Sequence, residues 1–189
     1  SADQRYALVY NGELYNEDVL AAQLQAEGVT LKTRCDTEVL AEAWAAWGPG
    51  CVDRLWGMFA FGVVDLKTSD CWLVRDRFGI KPLFYSWVNG DLVFASTVAA
   101  IRRHPRFKSE PNFRAVSHYL QTLRSTLDCQ TMLDNVYTLR PAEVISFGTA
   151  RRSQRFYWQL PATAEQDMDL EEASQQVEQT LEDSVARHL

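Results

Sequence analysis

The most informative segment of the chain reads Tyr10-Asn11-Gly12-Glu13-Leu14-Tyr15-Asn16. Side chains alternate over residues 5–10, which predicts a strand, and Asn11-Gly12 predicts a turn or loop after it. An asparagine amide and a glycine N–H at a strand end can also point the same way, and a tetrahedral oxyanion needs two such donors. The dipeptide alone favours the turn.

Two helices are predicted on the C-terminal side of this segment. The first covers residues 17–27, with Asn16 as its N-cap and Gly28 as its stop. The second opens at Asp36 or Thr37 and ends before residues 48–50, which read Gly-Pro-Gly. Two more helices are predicted, at residues 113–123 and from residue 170 to the end.

Strands are predicted between these helices. The apolar run at residues 58–65 is typical of a strand buried on both faces, and a second strand follows at 71–74. Asn89-Gly90 predicts a hairpin between residues 83–88 and 92–95. A further hairpin is predicted from residues 136–147 and 155–158, turned at Gly148. Residues 102–106 have the character of a connector.

The composition is that of a folded protein. Hydrophobic residues make up 47% and aromatic residues 12% of the 189 residues, which is enough for a packed core. The net charge of −6 is spread along the sequence, so no basic surface for nucleic acid or anionic lipid is predicted. No apolar run approaches the length of a membrane span.

The cysteines suggest neither a metal site nor a redox motif. Cys35, Cys51, Cys71 and Cys129 contain no Cys-x-x-Cys pair. We interpret them as reduced, mostly buried thiols of a cytoplasmic protein, with a disulfide framework as the alternative.

Further segments follow the first in a fixed order. They are Cys35-Asp36-Thr37-Glu38-Val39, Leu55-Trp56-Gly57-Met58-Phe59-Ala60-Phe61, Arg75-Asp76-Arg77-Phe78-Gly79-Ile80-Lys81-Pro82-Leu83 and Phe94-Ala95-Ser96. Together these segments closely resemble the class II glutamine amidotransferase domain of glutamine-dependent asparagine synthetases and their relatives. The resemblance is strong over about residues 6–101 and weaker through residues 140–142 and 156–158.

The resemblance implies a fold and a set of site residues. The fold is α+β, the αββα sandwich of the N-terminal-nucleophile hydrolases, here without its first strands. Asn11 and Gly12 would form the oxyanion hole, and Glu13 would help to hold glutamine through its main chain. Asp36 would bind the α-ammonium group of L-glutamine, since a zwitterion needs an anion there. Helix capping is the alternative for Asp36.

Other residues of the resemblance receive a structural interpretation. We predict that Arg75 and Asp76 shape a loop, with an internal ion pair as one way of doing so. The aromatic residues Trp56, Phe59 and Phe61 are predicted to lie in the core.

The resemblance also implies a nucleophile that this sequence does not contain. The family uses an N-terminal cysteine whose own α-amine, with a pKa near ~8, acts as the base. Ten residues precede Asn11, and none of them is cysteine. Ser1 lies on the run that forms the Asn-Gly strand, which leaves no room for a separate nucleophile strand. We therefore expect a domain truncated at both ends, without glutaminase activity in this chain.

The family's synthetase domain is expected to be absent as well. The pyrophosphate loop Ser-Gly-Gly-x-Asp-Ser does not occur in the sequence, so ATP and Mg²⁺ are implied for the absent domain and no cofactor for this chain. The predicted division is a glutaminase core at 1–101, a connector and closing hairpin at 102–161, and an acidic loop with the synthetase domain's opening helix at 162–189.

Three functions are compatible with these residues. The first is the glutaminase part of a glutamine-dependent asparagine synthetase, which uses released ammonia to amidate aspartate. The second is a pseudo-glutaminase scaffold without a nucleophile, as in the β-lactam synthetases. The third is the glutaminase part of a related amidotransferase that acts on another acid. The expected partners are L-glutamine and a synthetase domain, without nucleic acid or membrane, and a homodimer stays open.

Overall fold

Two antiparallel sheets form the centre of the first compact unit, Ser1–Trp158. The computed structural model describes residues 1–148, 152–162 and 168–186. Its strands are β1 (Tyr6–Leu14), β2 (Gly57–Asp65), β3 (Cys71–Arg75), β4 (Phe84–Val88), β5 (Asp91–Ala95), β6 (Val136–Thr138), β7 (Glu143–Phe147) and β8 (Arg152–Phe156). The five-stranded sheet has the order β1-β2-β3-β7-β8 and the three-stranded sheet the order β5-β4-β6.

The first unit also contains helical segments. They are α1 (Glu17–Ala26), α2 (Asp36–Trp47), a 3-10 helix (Gly48–Arg54), α3 (Val98–Arg102) and α4 (Phe113–Thr122). Helices α1 and α2 pack on the five-stranded sheet, whereas α3 packs against β4 and β5. The layers therefore run helix, sheet, sheet, helix.

Strand β2 is buried on both faces, which confirms the prediction from its apolar run. Phe59, Phe61 and Val63 belong to the cluster beneath α1 and α2. Ala60 belongs with Leu73 to a second cluster between the two sheets. Burying each large apolar side chain stabilises the fold by roughly 1.5–3 kcal/mol, so β2 anchors both layers.

The strand β1 continues through Asn11 and Gly12, so the predicted turn at this pair is wrong. Gly12 pairs with Phe59 of β2, and Leu14 pairs with Gly57. A Cβ atom built on Gly12 would overlap the Met58 carbonyl oxygen and lie 2.6 Å from Phe59 Cα. Glycine is therefore needed for the close approach of two strands and not for a reversal of the chain.

The hairpin predicted from residues 136–147 and 155–158 is partly correct, because residues 136–147 form two separate strands and only the second of them belongs to the hairpin. Strand β7 pairs with β8, but β6 lies in the other sheet and pairs with β4. The chain changes sheets at Arg140-Pro141-Ala142, where Ala142 has a φ of 56° and proline cannot donate to a ladder. Residues 149–151 lie outside the described residues.

Local signals predicted most of the other elements. Asn89 and Gly90 have φ of 52° and 91°, as a type I′ hairpin turn requires, and Gly28 ends α1 with a φ of 88°. The side chain of Asn16 does not cap α1, because it binds Arg54 O and Trp56 N, each over 2.9 Å. The short helix α3 was not predicted.

The second compact unit, Gln159–Leu189, contains the predicted helix as α5 (Leu170–Ala186). The acidic loop predicted before it falls largely on residues 163–167, outside the described residues. The predicted division into three parts stays a prediction. Within the described ranges, none of the helices is long and apolar enough to cross a membrane.

Candidate functional site

The backbone of β1 directs the Gly12 N–H away from β2. Two hydrogen bonds fix this direction, from Leu66 N–H to Arg5 O and from Tyr15 N–H to Trp56 O, each over 2.8 Å. Bonded and non-bonded residues alternate along an antiparallel pair, so the odd-numbered residues of β1 bond to β2. In the described part of the chain β1 is the edge strand, and the Gly12 N–H therefore points to an open edge.

Gly12→Ala should lower the free energy of unfolding by about 1–3 kcal/mol, the usual cost of an overpacked site. The added methyl group would meet backbone atoms of Met58 and Phe59, which can yield only if β1 and β2 separate. Gly50→Ala is the matched control, because its Cβ would meet nothing within 4 Å. Urea denaturation of both variants measures the difference, and equal stabilities would contradict the steric argument.

The side chain of Asn11 lies on the face of β1 opposite to Tyr10, since neighbouring residues alternate. Its Nδ2 donates to Ser96 Oγ over 3.2 Å. Both residues line a cavity of about 120 Å³ between the two sheets. An amide nitrogen carries two protons, so Asn11 can donate a second hydrogen bond while Ser96 fixes its orientation.

A glycine of β2 brings Ser96 to this position. A Cβ atom on Gly62 would lie 2.5 Å from the ring of Phe94, so the ring packs directly on the backbone of β2. This contact holds the end of β5, and Ser96 after it, against the strand that pairs with β1. Residues 94–96 are among the segments that carry the resemblance. The hydrogen bond between Ser96 and Asn11, however, follows only from the three-dimensional structure.

Asp36 is the first residue of α2, and a tyrosine of β1 holds its carboxylate. Tyr10 Oη donates to Asp36 Oδ2 over 2.8 Å, and Thr37 Oγ1 donates to Oδ1 over 3.3 Å. Cys35 occupies the cap position of α2, without a side-chain capping bond. Helix capping therefore does not explain Asp36.

Negative charge surrounds the hydroxyl group of Tyr10. Burial raises the pKa of Tyr10 well above its ordinary value, and the hydrogen bond to Asp36 and the charges of Glu13 and Glu17 raise it further. Burial also raises the pKa of Glu17, and the negative charge of Asp36 raises it further. Tyr10 thus stays a protonated donor at neutral pH, and the local potential attracts a cation such as an ammonium group.

Glu13 lies next to the candidate oxyanion hole, with its side chain exposed. As an odd-numbered residue it turns its N–H and C=O toward β2, like Asn11. A ligand at the open edge would meet the Glu13 side chain before its main chain. The predicted binding role of Glu13 stays a prediction.

Arg75 and Asp76 shape the loop after β3, in line with their structural interpretation. Arg75 donates to main-chain oxygens, from Nε to Lys81 over 2.8 Å and from Nη2 to Gly79 over 2.7 Å. Asp76 accepts main-chain N–H groups, among them that of Ile80 over 2.9 Å. Among the ion pairs of the described residues, none joins Arg75 to Asp76.

The prediction that Trp56 belongs to the core is wrong. Trp56 is 47% exposed, whereas Phe59 and Phe61 are each 1% exposed. Strand β2 begins at Gly57, so Trp56 precedes the buried part of the strand and lies at its rim.

Three of the four internal cysteines are poorly suited to attack a substrate. Cys51 and Cys71 are buried, and burial raises the pKa of their thiols to about 12 and about 11. Burial also raises the pKa of Cys129. Cys35 is exposed and lies 3.7 Å from Asp36 Oδ1. A thiolate is the reactive form, and these three raised pKa values disfavour it. In the described ranges no group of three His, Cys, Asp or Glu could hold a metal ion.

Asn11 and Gly12 are neighbours on β1, and the hydrogen bond from Tyr10 ties Asp36 to the same strand. Asn11 and Asp36 lie on opposite faces of β1, with the Gly12 N–H between them at the edge. These three groups form the candidate site, with the two donors at one end and the carboxylate at the other.

The two stacked antiparallel sheets with their helices form an α+β sandwich, the fold class that the resemblance implied. The structure of glutamine phosphoribosylpyrophosphate amidotransferase from Bacillus subtilis, complexed with ADP and GMP, matches this chain with a TM-score of 0.56 at 22% identity. The match covers 81% of this chain and 29% of that chain. It shows the fold, and the predicted α+β class is confirmed.

A family model described as a glutamine amidotransferase domain matches residues 1–158. The chain belongs to the glutamine amidotransferase domain family. Asparagine synthetase [glutamine-hydrolyzing] 3 of Bacillus subtilis is 32% identical over 184 residues, covering 97% of this chain and 30% of the relative. A putative asparagine synthetase [glutamine-hydrolyzing] of Mycobacterium tuberculosis H37Rv is 32% identical over 199 residues, covering 100% of this chain and 30% of the relative. The chain therefore spans about 30% of the length of these curated relatives.

Proposed function

We propose that this chain carries the glutaminase site of a glutamine-dependent asparagine synthetase. Glutamine hydrolysis at the edge of β1 would supply ammonia for the amidation of aspartate. The observation that supports the proposal is that one strand, β1, carries two hydrogen-bond donors and binds a carboxylate through Tyr10. The donors are Asn11 Nδ2 and the Gly12 N–H, and the carboxylate is Asp36.

In the proposed reaction a thiol attacks the side-chain carboxamide carbon of glutamine. The carbonyl oxygen becomes an oxyanion, which Asn11 Nδ2 and the Gly12 N–H stabilise. The C–N bond then breaks, the thiol proton leaves with the nitrogen as ammonia, and a thioester remains. Water hydrolyses the thioester to glutamate and restores the thiol, so that glutamine and water give glutamate and ammonia.

The attacking thiol should stand beside the outer edge of β1, because the Gly12 N–H points there. We assign it to an N-terminal cysteine, as the family resemblance implies, on a strand that pairs with this edge. The even-numbered residues of β1 present their N–H and C=O groups to such a strand. The buried thiols of Cys51 and Cys71 are unsuited to the role.

The other half of the reaction belongs to a synthetase domain in this proposal. There ATP and Mg²⁺ would activate the aspartate side-chain carboxylate, and ammonia would capture it as the amide. The relatives that this chain matches over about 30% of their length are named as asparagine synthetases, which supports aspartate as the acceptor. A cytoplasmic location and a homodimer belong to the same proposal.

The full-length protein tests the proposal directly. With ATP, aspartate and glutamine labelled with ¹⁵N at the amide, it should form labelled asparagine, AMP and glutamate. Amidation of another acid would replace aspartate as the acceptor and keep the glutaminase. Failure to hydrolyse glutamine in the full-length protein would overturn the proposal in favour of a scaffold.

Asp36→Asn in the full-length protein should raise the KM for glutamine by about 10- to 100-fold, since a hydrogen bond to a charged group contributes about 1.5–3 kcal/mol. The amide keeps the size of the side chain but removes the charge that selects the ammonium group. Synthesis from added ammonium chloride should stay unchanged, because it bypasses the glutaminase site. Asp18→Asn, at an exposed carboxylate of α1, is the matched control, and an equal KM in both variants would argue against Asp36 as the ammonium ligand.

A further inference from the structure

Tyr10 connects the two ends of the candidate site. Its ring packs against the core cluster beneath α1 and α2, and its hydroxyl group reaches the start of α2. The hydrogen bond from Tyr10 Oη to Asp36 Oδ2 measures 2.8 Å. Two residues further along β1 lies Gly12, whose N–H points to the open edge. One strand thus supplies an oxyanion donor and a hydrogen bond to the ammonium ligand.

Little else ties the Asp36 carboxylate to the sheet. Among the described residues, its other hydrogen bonds come from Thr37 Oγ1 over 3.3 Å and Cys35 Sγ over 3.7 Å, both in adjacent residues of its own segment. These contacts move with the start of the helix. Tyr10 belongs instead to a strand of nine residues paired with β2, so the sheet fixes the backbone that carries its hydroxyl group.

We propose that Tyr10 is a positioning residue for glutamine recognition. By donating to Oδ2, it holds the Asp36 carboxylate so that Oδ1 can accept from the α-ammonium group of the substrate. The inference rests on the proposed function, because it presumes that Asp36 binds this group. Tyr10 itself does not touch the reacting carboxamide, which lies at the Asn11 end.

If Tyr10 has this role, removing its hydroxyl group should change the KM for glutamine and leave kcat nearly unchanged. In Tyr10→Phe the ring still fills its place in the core, but the Asp36 carboxylate can turn toward water. The KM for glutamine should rise about tenfold, which corresponds to about 1.4 kcal/mol. The kcat should stay within about twofold, because Asn11 Nδ2 and the Gly12 N–H are unchanged.

A purely structural role of Tyr10 gives a different pattern, which the deamino analogue of glutamine reveals. This analogue keeps the carboxamide and the carboxylate but has no ammonium group for Asp36. If Tyr10 positions Asp36, the full-length wild type and Tyr10→Phe hydrolyse the analogue equally well. If Tyr10 only supports the fold, the variant loses activity on glutamine and on the analogue alike.

Two further variants complete the test. Tyr6→Phe removes a hydroxyl group from the same face of β1, where Tyr6 packs against the same cluster, and should leave the KM for glutamine unchanged. In the Asp36→Asn background, adding Tyr10→Phe should cause no further rise in KM, since the charge that it positions is gone. A full tenfold rise in that background would overturn the proposal, as would an unchanged or lower KM in Tyr10→Phe alone.

The outcomes separate this inference from the proposed function. If the full-length wild type does not hydrolyse glutamine, the proposed function fails. If the wild type is active and Asp36→Asn raises the KM while Tyr10→Phe does not, the glutaminase stands and the positioning role fails. Thermal denaturation and ammonia-dependent synthesis confirm that each variant is folded.

Discussion

Asn11→Ala should slow glutamine hydrolysis by the full-length protein by about 10²–10³-fold, the usual loss when one oxyanion-hole donor is removed. The loss should appear in kcat, because the Asn11 amide serves the oxyanion that forms in the transition state. The variant should fold normally, since Asn11 is exposed and its side chain bonds to Ser96 at the surface. A steady-state assay of glutamate release measures the effect.

Two comparisons separate the loss of the Asn11 donor from other effects of the substitution. Ser96→Ala should cause a smaller loss of kcat, because Asn11 keeps its amide and loses only the partner that orients it. Synthesis from ammonium chloride should be equal in the wild type and both variants. An unchanged kcat for Asn11→Ala would remove Asn11 from the oxyanion hole.

Asp76→Ala should lower the free energy of unfolding of the 189-residue chain by about 3–5 kcal/mol, since a buried donor left unsatisfied costs about 1–3 kcal/mol and three of the four donors to Asp76 are only partly buried. The Asp76 carboxylate is 1% exposed. It accepts the N–H groups of Phe78 over 3.0 Å, Ile80 over 2.9 Å, Lys81 over 2.9 Å and Phe59 over 3.3 Å. Alanine leaves these donors without their acceptor inside the loop.

The control for Asp76 is an aspartate in a surface ion pair. Asp53 contacts Arg155 over 3.3 Å and is 53% exposed, so Asp53→Ala should cost less than about 1 kcal/mol. Urea denaturation of both variants measures the difference. A loss at Asp76 as small as that at Asp53 would mean that the loop does not depend on its carboxylate.

The sequence predicted those elements whose signals are local. Asn89-Gly90 specifies its own turn through two positive φ angles, and the apolar run of β2 specifies burial on both faces. The turn predicted at Asn11-Gly12 failed because a distant strand decides the conformation there. Gly12 pairs with Phe59 of β2, and no pattern within residues 10–16 predicts that pairing.

The sequence predicted the residues of the candidate site but not the residues that hydrogen-bond to them. Asn11, Gly12 and Asp36 follow from the resemblance, and their chemistry suits an amide substrate with an ammonium group. Their partners Tyr10 and Ser96 depend on how α2 and β5 meet β1. A long-range contact of this kind leaves no local pattern, so no reading of residue types could assign these two.

The alternation along β1 has a consequence for chains that fold incorrectly. A slip of one residue against β2, about 3.4 Å along the strand, would exchange the faces of Tyr10 and Asn11 and turn the Gly12 N–H inward. The same slip would place a side chain where Gly12 now meets Met58 and Phe59. A misregistered chain would therefore lose the proposed oxyanion donor and be sterically disfavoured, so the glycine of the proposed oxyanion hole also helps to fix the register between β1 and β2.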